Sequence, residues 1–250
     1  FLHKTLMPMS YIFREHIKQS LAVIAFLLTL TACTSESYDA GDGPNSYLTA
    51  DLVLLHTSQD KSVRSALLDD GTTLQFSNPF AQDWLTRPDS VYRALLYYDK
   101  TVAASDAAAS NPTATSIVRA RSVRPVSVLR PVEAEDMEML RTDPVGFESI
   151  WMSKNKSYIN LSLLLKSGKT EADDALHALG IVSHGTTTDA DQRRTLHLTL
   201  YHDQGGVPAY YTVQQYVSIP TQLLEKADTV ELTLNTYNGK KVVKVAVSNL

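Results

Sequence analysis

Several groups of side chains in this chain have the types and spacing that acid–base or metal chemistry uses. His197 and His202 look like a pair of metal ligands, but on a strand residues five apart point to opposite faces, so the two imidazoles share no ion without a bulge. Asp173, Asp174 and His177 would gather on one face if residues 170–179 were helical, which could hold a cation; the preferred reading is a solvated helix start, because the helix dipole favours acidic residues in the first turn. Ser167-Gly168-Lys169-Thr170 copies the end of a phosphate loop, yet Leu163 stands where the leading glycine belongs and no strand–helix–strand unit surrounds it. It reads as a turn. Glu133, Glu135, Asp136 and Glu138 could pair as acid and base or bind calcium, but they lack the alternating ligand loop and read as a solvated charge run. No G-x-S-x-G elbow is present. The residues therefore assign no catalytic site, no metal and no cofactor. An accessory hydrolase or carbohydrate-processing protein stays open as the alternative, because triads assemble from distant positions.

The aromatic residues carry the most usable binding signal. Tyr97, Tyr98, Tyr210 and Tyr211 are candidate ligand contacts, since tyrosine offers a rigid apolar face with a polar tip. Neighbouring residues on a strand point to opposite faces, which predicts one core and one exposed tyrosine in each pair. Trp151 could join such a sugar or peptide surface, but it is expected in the sandwich core.

Leu30-Thr31-Ala32-Cys33 states where such chemistry would take place. An apolar run, LAVIAFLLTL, follows Arg14 and Lys18 and ends in small residues and the single cysteine of the 250-residue chain. That is the layout of a secretory signal over residues 1–32, with Met7 or Met9 as the expected start. The final four residues resemble the lipobox of bacterial lipoproteins, which implies cleavage before Cys33 and acylation of its sulfur. Each buried methylene is worth roughly 0.8 kcal/mol, so two or three acyl chains anchor firmly where one is marginal. The expected location is the cell envelope, held by lipid to the outer membrane on either its periplasmic face or the cell surface. With Cys33 consumed, no thiol remains for disulfides, zinc or nucleophilic catalysis. A net charge of -4 gives no field for phosphate backbones and argues against nucleic acid as a partner. Asp89-Ser90-Val91 and Asp228-Thr229-Val230 are candidate glycosylation sites at Ser90 and Thr229, each expected at the start of a strand.

These residues must be positioned by strands. Residues 33–46 are polar and broken by Gly41, Gly43 and Pro44, a tether. Residues 47–132 hold short strand-forming runs: Tyr47 to His56, Ser62 to Leu68, Thr72 to Phe76, Val91 to Tyr98, Ile117 to Ser122 and Val126 to Leu129. Asp69-Asp70-Gly71 between two of them is a hairpin signal whose turn residues tolerate positive φ. A small closed barrel opening with a three-stranded meander is expected. Residues 133–144 read as a linker with a helical turn. Residues 145–250 give seven further strands, with Leu196, Leu198 and Leu200, then Val230, Leu232 and Leu234, at period two. Asn238-Gly239 suggests a type I′ hairpin. The fold class is all-β, a barrel followed by an antiparallel β-sandwich.

The order of these features is similar to the NigD-like lipoproteins of Bacteroidota. The resemblance rests on the lipobox, Leu68-Asp69-Asp70-Gly71-Thr72, Asp143-Pro144-Val145 leading to Ile150-Trp151, Tyr158-Ile159-Asn160-Leu161, Val230-Glu231-Leu232 and Asn235-Thr236-Tyr237-Asn238-Gly239. It implies an N-terminal OB-type barrel and a C-terminal sandwich. It also implies a bacteriocin-immunity connection, because the family takes its name from a gene beside a bacteriocin. No catalytic residue carries over. The function expected is a non-enzymatic envelope lipoprotein that binds a protein or glycan; a structural spacer in a surface complex is the other non-catalytic reading.

Overall fold

Alternation along strand β4 (Val91–Lys100) explains the architecture. Ala94, Leu96 and Tyr98 turn into one core, while Arg93 and Leu95 on the opposite face are also buried, so this strand is covered on both sides. The computed structural model describes residues 48–100, 116–169, 175–224 and 227–247. In it β1 (Leu48–Thr57), β2 (Val63–Leu68), β3 (Thr73–Phe80), β4 and β5 (Ser116–Pro125) close a barrel in the order β1-β2-β3-β5-β4. All its pairings are antiparallel except β3 with β5, the strand order of an OB fold. The opening meander is present as expected.

The second set of strands forms two sheets. β7 (Pro131–Glu133), β10 (Ala178–Thr188), β11 (Arg194–Asp203), β13 (Thr229–Thr236) and β14 (Gly239–Ala246) make a five-stranded sheet. β6 (Ser127–Val128), β8 (Gly146–Met152), β9 (Tyr158–Ser167) and β12 (Tyr211–Pro220) make a four-stranded one. Their inner faces meet through Ile159, Leu161 and Leu163 of β9 and the period-two residues of β11 and β13. Burying one face of each strand is what that period encodes. No α-helix occurs among the described residues. The fold is all-β, barrel then sandwich.

Several local expectations are corrected. The run from Val126 to Leu129 does not join the barrel: β6 pairs in parallel with β12, and β7 with β10, so the chain enters the sandwich immediately after Pro125. Proline at 125 and 131 keeps both strands short and at sheet edges. At Asp69-Asp70-Gly71 only the glycine has positive φ, +91°. The Gly71 amide donates to the Leu68 carbonyl and the Leu68 amide to that of Thr72, a three-residue loop with the glycine in the left-handed position. Asn238-Gly239 behaves alike, with positive φ at Gly239 alone, so it is not type I′. Residues 175–177 are irregular and Ala178 opens a strand, so the helix on which a shared face for Asp173, Asp174 and His177 depends does not extend over 175–179; residues 170–174 lie outside the described residues. The linker does contain a single 3₁₀ turn, Ala134–Asp136.

Candidate functional site

Residues Tyr47–Leu250 make one compact unit, and a buried arginine lies where barrel meets sandwich. Arg93 leaves β4 on its outward face, and its side chain is 1% exposed. Its Nη1 and Nη2 donate to the two oxygens of Asp69 at 2.5 and 2.7 Å, a bidentate pair. Nη2 also donates to Asn160 Oδ1 at 3.0 Å and Nε to Ser218 Oγ at 3.1 Å. Asn160 and Ser218 face each other in the β9–β12 register, on the side of that sheet turned away from the sandwich core. Ser218 Oγ donates to Asn160 Oδ1 and Asn160 Nδ2 to Asp69, so every member is satisfied. The guanidinium lies 4.3 Å from the Tyr158 ring centroid. The Asn155 amide donates to the Asp69 carbonyl, drawing the β2–β3 turn onto the sandwich.

Beside this network opens a groove of about 350 Å³, within the size range of small-ligand sites. It is lined by the apolar and aromatic Leu52, Leu95, Tyr97, Trp151 and Tyr216 and by the polar Asp51, Asp70, Ser153 and Lys154. Leu52 pairs with Leu95 across β1 and β4, and Trp151 pairs with Asn160 across β8 and β9, so both modules fix its floor. Trp151 meets Tyr216 edge to face at 6.3 Å between centroids. Asp51 accepts the Tyr98 hydroxyl at 2.8 Å. Burial, that hydrogen bond and the charges of Asp51 and Asp70 all raise the Tyr98 phenol well above its ordinary value, so it stays a donor. Partial burial pulls the Asp70 carboxyl upward, but hydrogen bonds from Thr72 and the charge of Lys154 outweigh it and leave Asp70 below the usual range. An ionised Asp70 suits attraction of positive charge and not proton donation.

The residues singled out in the sequence are distributed as follows. Tyr97 lines the groove and Tyr98 is in the barrel core at 2% exposure, one in and one out as alternation predicts. Tyr210 and Tyr211 are both exposed, because Tyr210 precedes the regular strand and escapes its alternation. Trp151 lies at the junction and not in the sandwich core, since a register shift between Phe147 and Ser149 precedes it on β8. His197 and His202 do point apart: His197 faces Glu231 and Thr187, whereas His202 is buried. The partner of His202 is His177, with Nδ1 3.0 Å from Nε2 and the rings stacked at 5.2 Å. Asp173 and Asp174 lie outside the described residues, as does Thr170; Glu133, Glu135, Asp136 and Glu138 are exposed. Among the described residues no three His, Cys, Asp or Glu side chains cluster for a metal. Ser90 is half-buried in the turn before β4, its Oγ donating to the Pro88 carbonyl, and Thr229 is half-buried at the head of β13, paired on both sides. Cys33 and the signal and tether segments lie outside the described residues. Arg93, Asn160 and Ser218 were missed. The available signal was an arginine inside VYRALLYY, a run apolar enough to be buried on both faces.

Comparison with known proteins adds a family to this geometry. A comparison with curated proteins gives no match. Among solved structures, a NigD-like immunity protein from Bacteroides caccae ATCC 43185 aligns with TM-score 0.58 and 22% identity, covering 79% of this chain and 91% of its own. A candidate lipoprotein from Bacteroides fragilis NCTC 9343 aligns with TM-score 0.56 and 14% identity, covering 80% and 98%. A candidate toxin-related protein from Parabacteroides distasonis ATCC 8503 aligns with TM-score 0.51 and 20% identity, covering 79% and 92%. These likenesses establish a shared fold. Residues 128–247 match the NigD-like C-terminal beta sandwich domain, beginning within β6 where the chain leaves the barrel, which identifies that part of the chain as a NigD-like C-terminal domain.

Proposed function

We propose that this chain is a lipid-anchored envelope protein that binds a polypeptide in the groove between barrel and sandwich and performs no chemistry on it, in a role of the immunity kind. The observation that carries this reading is a preformed groove whose two walls are held together by the Arg93 network. A rigid site avoids the ordering cost of binding and suits capture. The ionised state of Asp70 and the absence of a histidine or nucleophile pair from the lining support a binding role over a hydrolytic one. A related fold in an immunity protein and in a candidate toxin-related protein supports the biological setting. The lipobox at Cys33 and the likeness to a candidate lipoprotein support the anchor. A glycan is the second reading, favoured by the half-buried rings of Trp151 and Tyr97, which offer a stacking face.

The test is a gene deletion in the native host challenged with culture supernatants of co-resident strains. The deletion strain is expected to become sensitive to at least one supernatant. The wild-type chain restores resistance, whereas Cys33→Ala, which takes up no labelled fatty acid, and Trp151→Ala with Tyr97→Ala, present at wild-type level, do not. Equal growth of deletion and parent in every supernatant sinks the proposal. Intact mass of the protein from the same host reads any glycan on Ser90 or Thr229.

A further inference from the structure

We infer that β14, apart from the junction groove, is a docking edge for an extended acidic segment of a partner protein, which adds to the five-stranded sheet as a further strand. Among the described residues, β14 and β7 end one sheet of the sandwich and β6 and β8 end the other. An open edge invites foreign strands unless it is short, bulged, charged or broken by proline. β6 has two residues, β7 has three and opens on Pro131, and β8 carries a register shift between Phe147 and Ser149. β14 has none of these devices and keeps only its lysines. Its eight residues, GKKVVKVA, pair with β13 in unbroken register from Thr236 opposite Gly239 to Thr229 opposite Ala246.

Alternation decides which backbone groups of β14 are free. The Val247 amide donates to the Asp228 carbonyl at the end of the same ladder, so the odd-numbered residues of β14 are those that bond to β13. Lys240, Val242, Lys244 and Ala246 therefore turn their N–H and C=O groups to the open side, where no other described strand pairs with them. All four residues are exposed, Val242 by 46%.

Charge selects the occupant. Lys244 lies 3.0 Å from Glu231, which also faces His197, whereas Lys240 and Lys241 form no ion pair among the described residues. The Lys241 ammonium instead rests 4.5 Å from the Phe147 ring centroid. Phe147, Tyr237, Lys240 and Lys241 line a depression of about 380 Å³ at the Gly239 end of the strand, and no carboxylate lines it. Lys166 adds a further ammonium, 5.9 Å from the Tyr237 ring centroid. The edge is positive, with Glu231 alone against the lysines of β14. A second copy of β14 would bring the same lysines to the seam, and like charges across a strand pair destabilise it. Lysine on an edge deters strands without compensating charge. A segment with carboxylates on alternate residues meets Lys240 and Lys244 on one face while its backbone fills the open N–H and C=O groups.

Amide hydrogen exchange, followed residue by residue in the full chain, tests this. In the free chain the Lys240, Val242 and Lys244 amides are expected to exchange fast and the Lys241, Val243 and Val245 amides slowly. An acetylated, amidated Thr-Glu-Val-Glu-Val-Glu-Thr peptide is expected to slow the three fast amides by about tenfold or more. Its glutamine isostere should bind about tenfold more weakly, and Lys240→Gln with Lys241→Gln should narrow that preference. Val242→Pro removes an outward amide and no bond to β13, so it should lose the peptide while the Val243 and Val245 amides stay slow. No slowing at millimolar peptide, or equal slowing by the glutamine peptide, overturns the inference. So does slowing in Val242→Pro equal to that in wild type. Slow outward amides in a free chain of dimeric mass overturn it as well, by giving the edge to a second copy.

Discussion

Leu161, Leu198 and Leu232 close the sandwich core with aliphatic side chains alone, each 1% exposed or less. One strand thickness away, the surface between sandwich and barrel is closed by Arg93, Asn160 and Ser218, buried as completely, with Asp69 at its edge. The leucine core gains from area and is indifferent to small rotations, since burial has no direction. The junction is directional: a guanidinium bonded to three partners fixes how one sheet lies on the other. The groove forms where this fixed angle leaves Trp151 and Tyr97 unfilled. Apolar packing therefore supplies stability in each module, and the polar contact supplies the geometry of the site.

Leu232→Ala is the largest expected perturbation, about 3 to 4 kcal/mol, because Leu232 is 0% exposed and its removal leaves a cavity. Chemical unfolding should show one earlier transition. Arg93→Ala should cost about 3 kcal/mol by leaving Asp69 and Asn160 without their partner, somewhat moderated by the water that Asp69 retains. Its mark is in shape more than in size: barrel and sandwich should begin to unfold separately, so that Trp84 and Trp151 fluorescence report different midpoints. Pairing Arg93→Met with Asp69→Asn should lose less than Arg93→Ala, since no charge is then left buried alone. A single sharp transition in Arg93→Ala, at the wild-type midpoint, would remove the distinction between core and junction.

Gly71→Val tests the turn that delivers Asp69. A Cβ at Gly71 would meet nothing within 4 Å, so its cost comes from forcing φ of +91° on a β-branched residue, about 1 to 2 kcal/mol. Gly71→Asn should cost less, because asparagine tolerates the left-handed region. Equal melting temperatures for both variants and wild type would show that the turn is not held in this conformation.

Much of this was legible in sequence, for reasons that differ from strand to strand. Period-two leucines in β11 and β13 announce strands with one buried face, and both strands contain the residues that carry the period. The barrel was legible from its hairpin signal and short runs. The junction was not, because Asn160 and Ser162 alternate with Ile159 and Leu161, the pattern of a strand whose other face meets water. That face is buried by another module contributed from far along the chain. The Asp-Gly and Asn-Gly turns were located correctly and their geometry was not, since in each the glycine alone takes the left-handed position, which does not require a type I′ turn. His177 was linked to the acidic residues before it and His202 to His197, because local spacing says nothing of a contact 25 residues away.

That histidine contact gives the smallest effect. His202 Nδ1 lies 3.0 Å from the Asp143 carbonyl, which leaves its Nε2 to accept from His177 Nδ1. Burial first, and the neighbouring His202 second, hold the His177 pKa below its ordinary 6.5, with a backbone contact to Lys166 acting the other way. The nearby carboxylates are already engaged: Asp143 accepts the Gln204 amide and Asp203 pairs with Arg141. The folded chain therefore binds the proton less readily than the unfolded chain. Between the depressed folded pKa and 6.5 the unfolded state holds more protons, so stability falls as pH drops through 6.5 and levels off below the folded pKa. Unlike the Arg93 junction, where charges are matched, this contact tolerates no second charge. His177→Gln removes the titrating ring, and its melting temperature should depend less on pH between 7 and about 5 than that of wild type. If both proteins lose stability in parallel over that interval, the pH sensitivity belongs to other groups and the stacked pair is a packing contact alone.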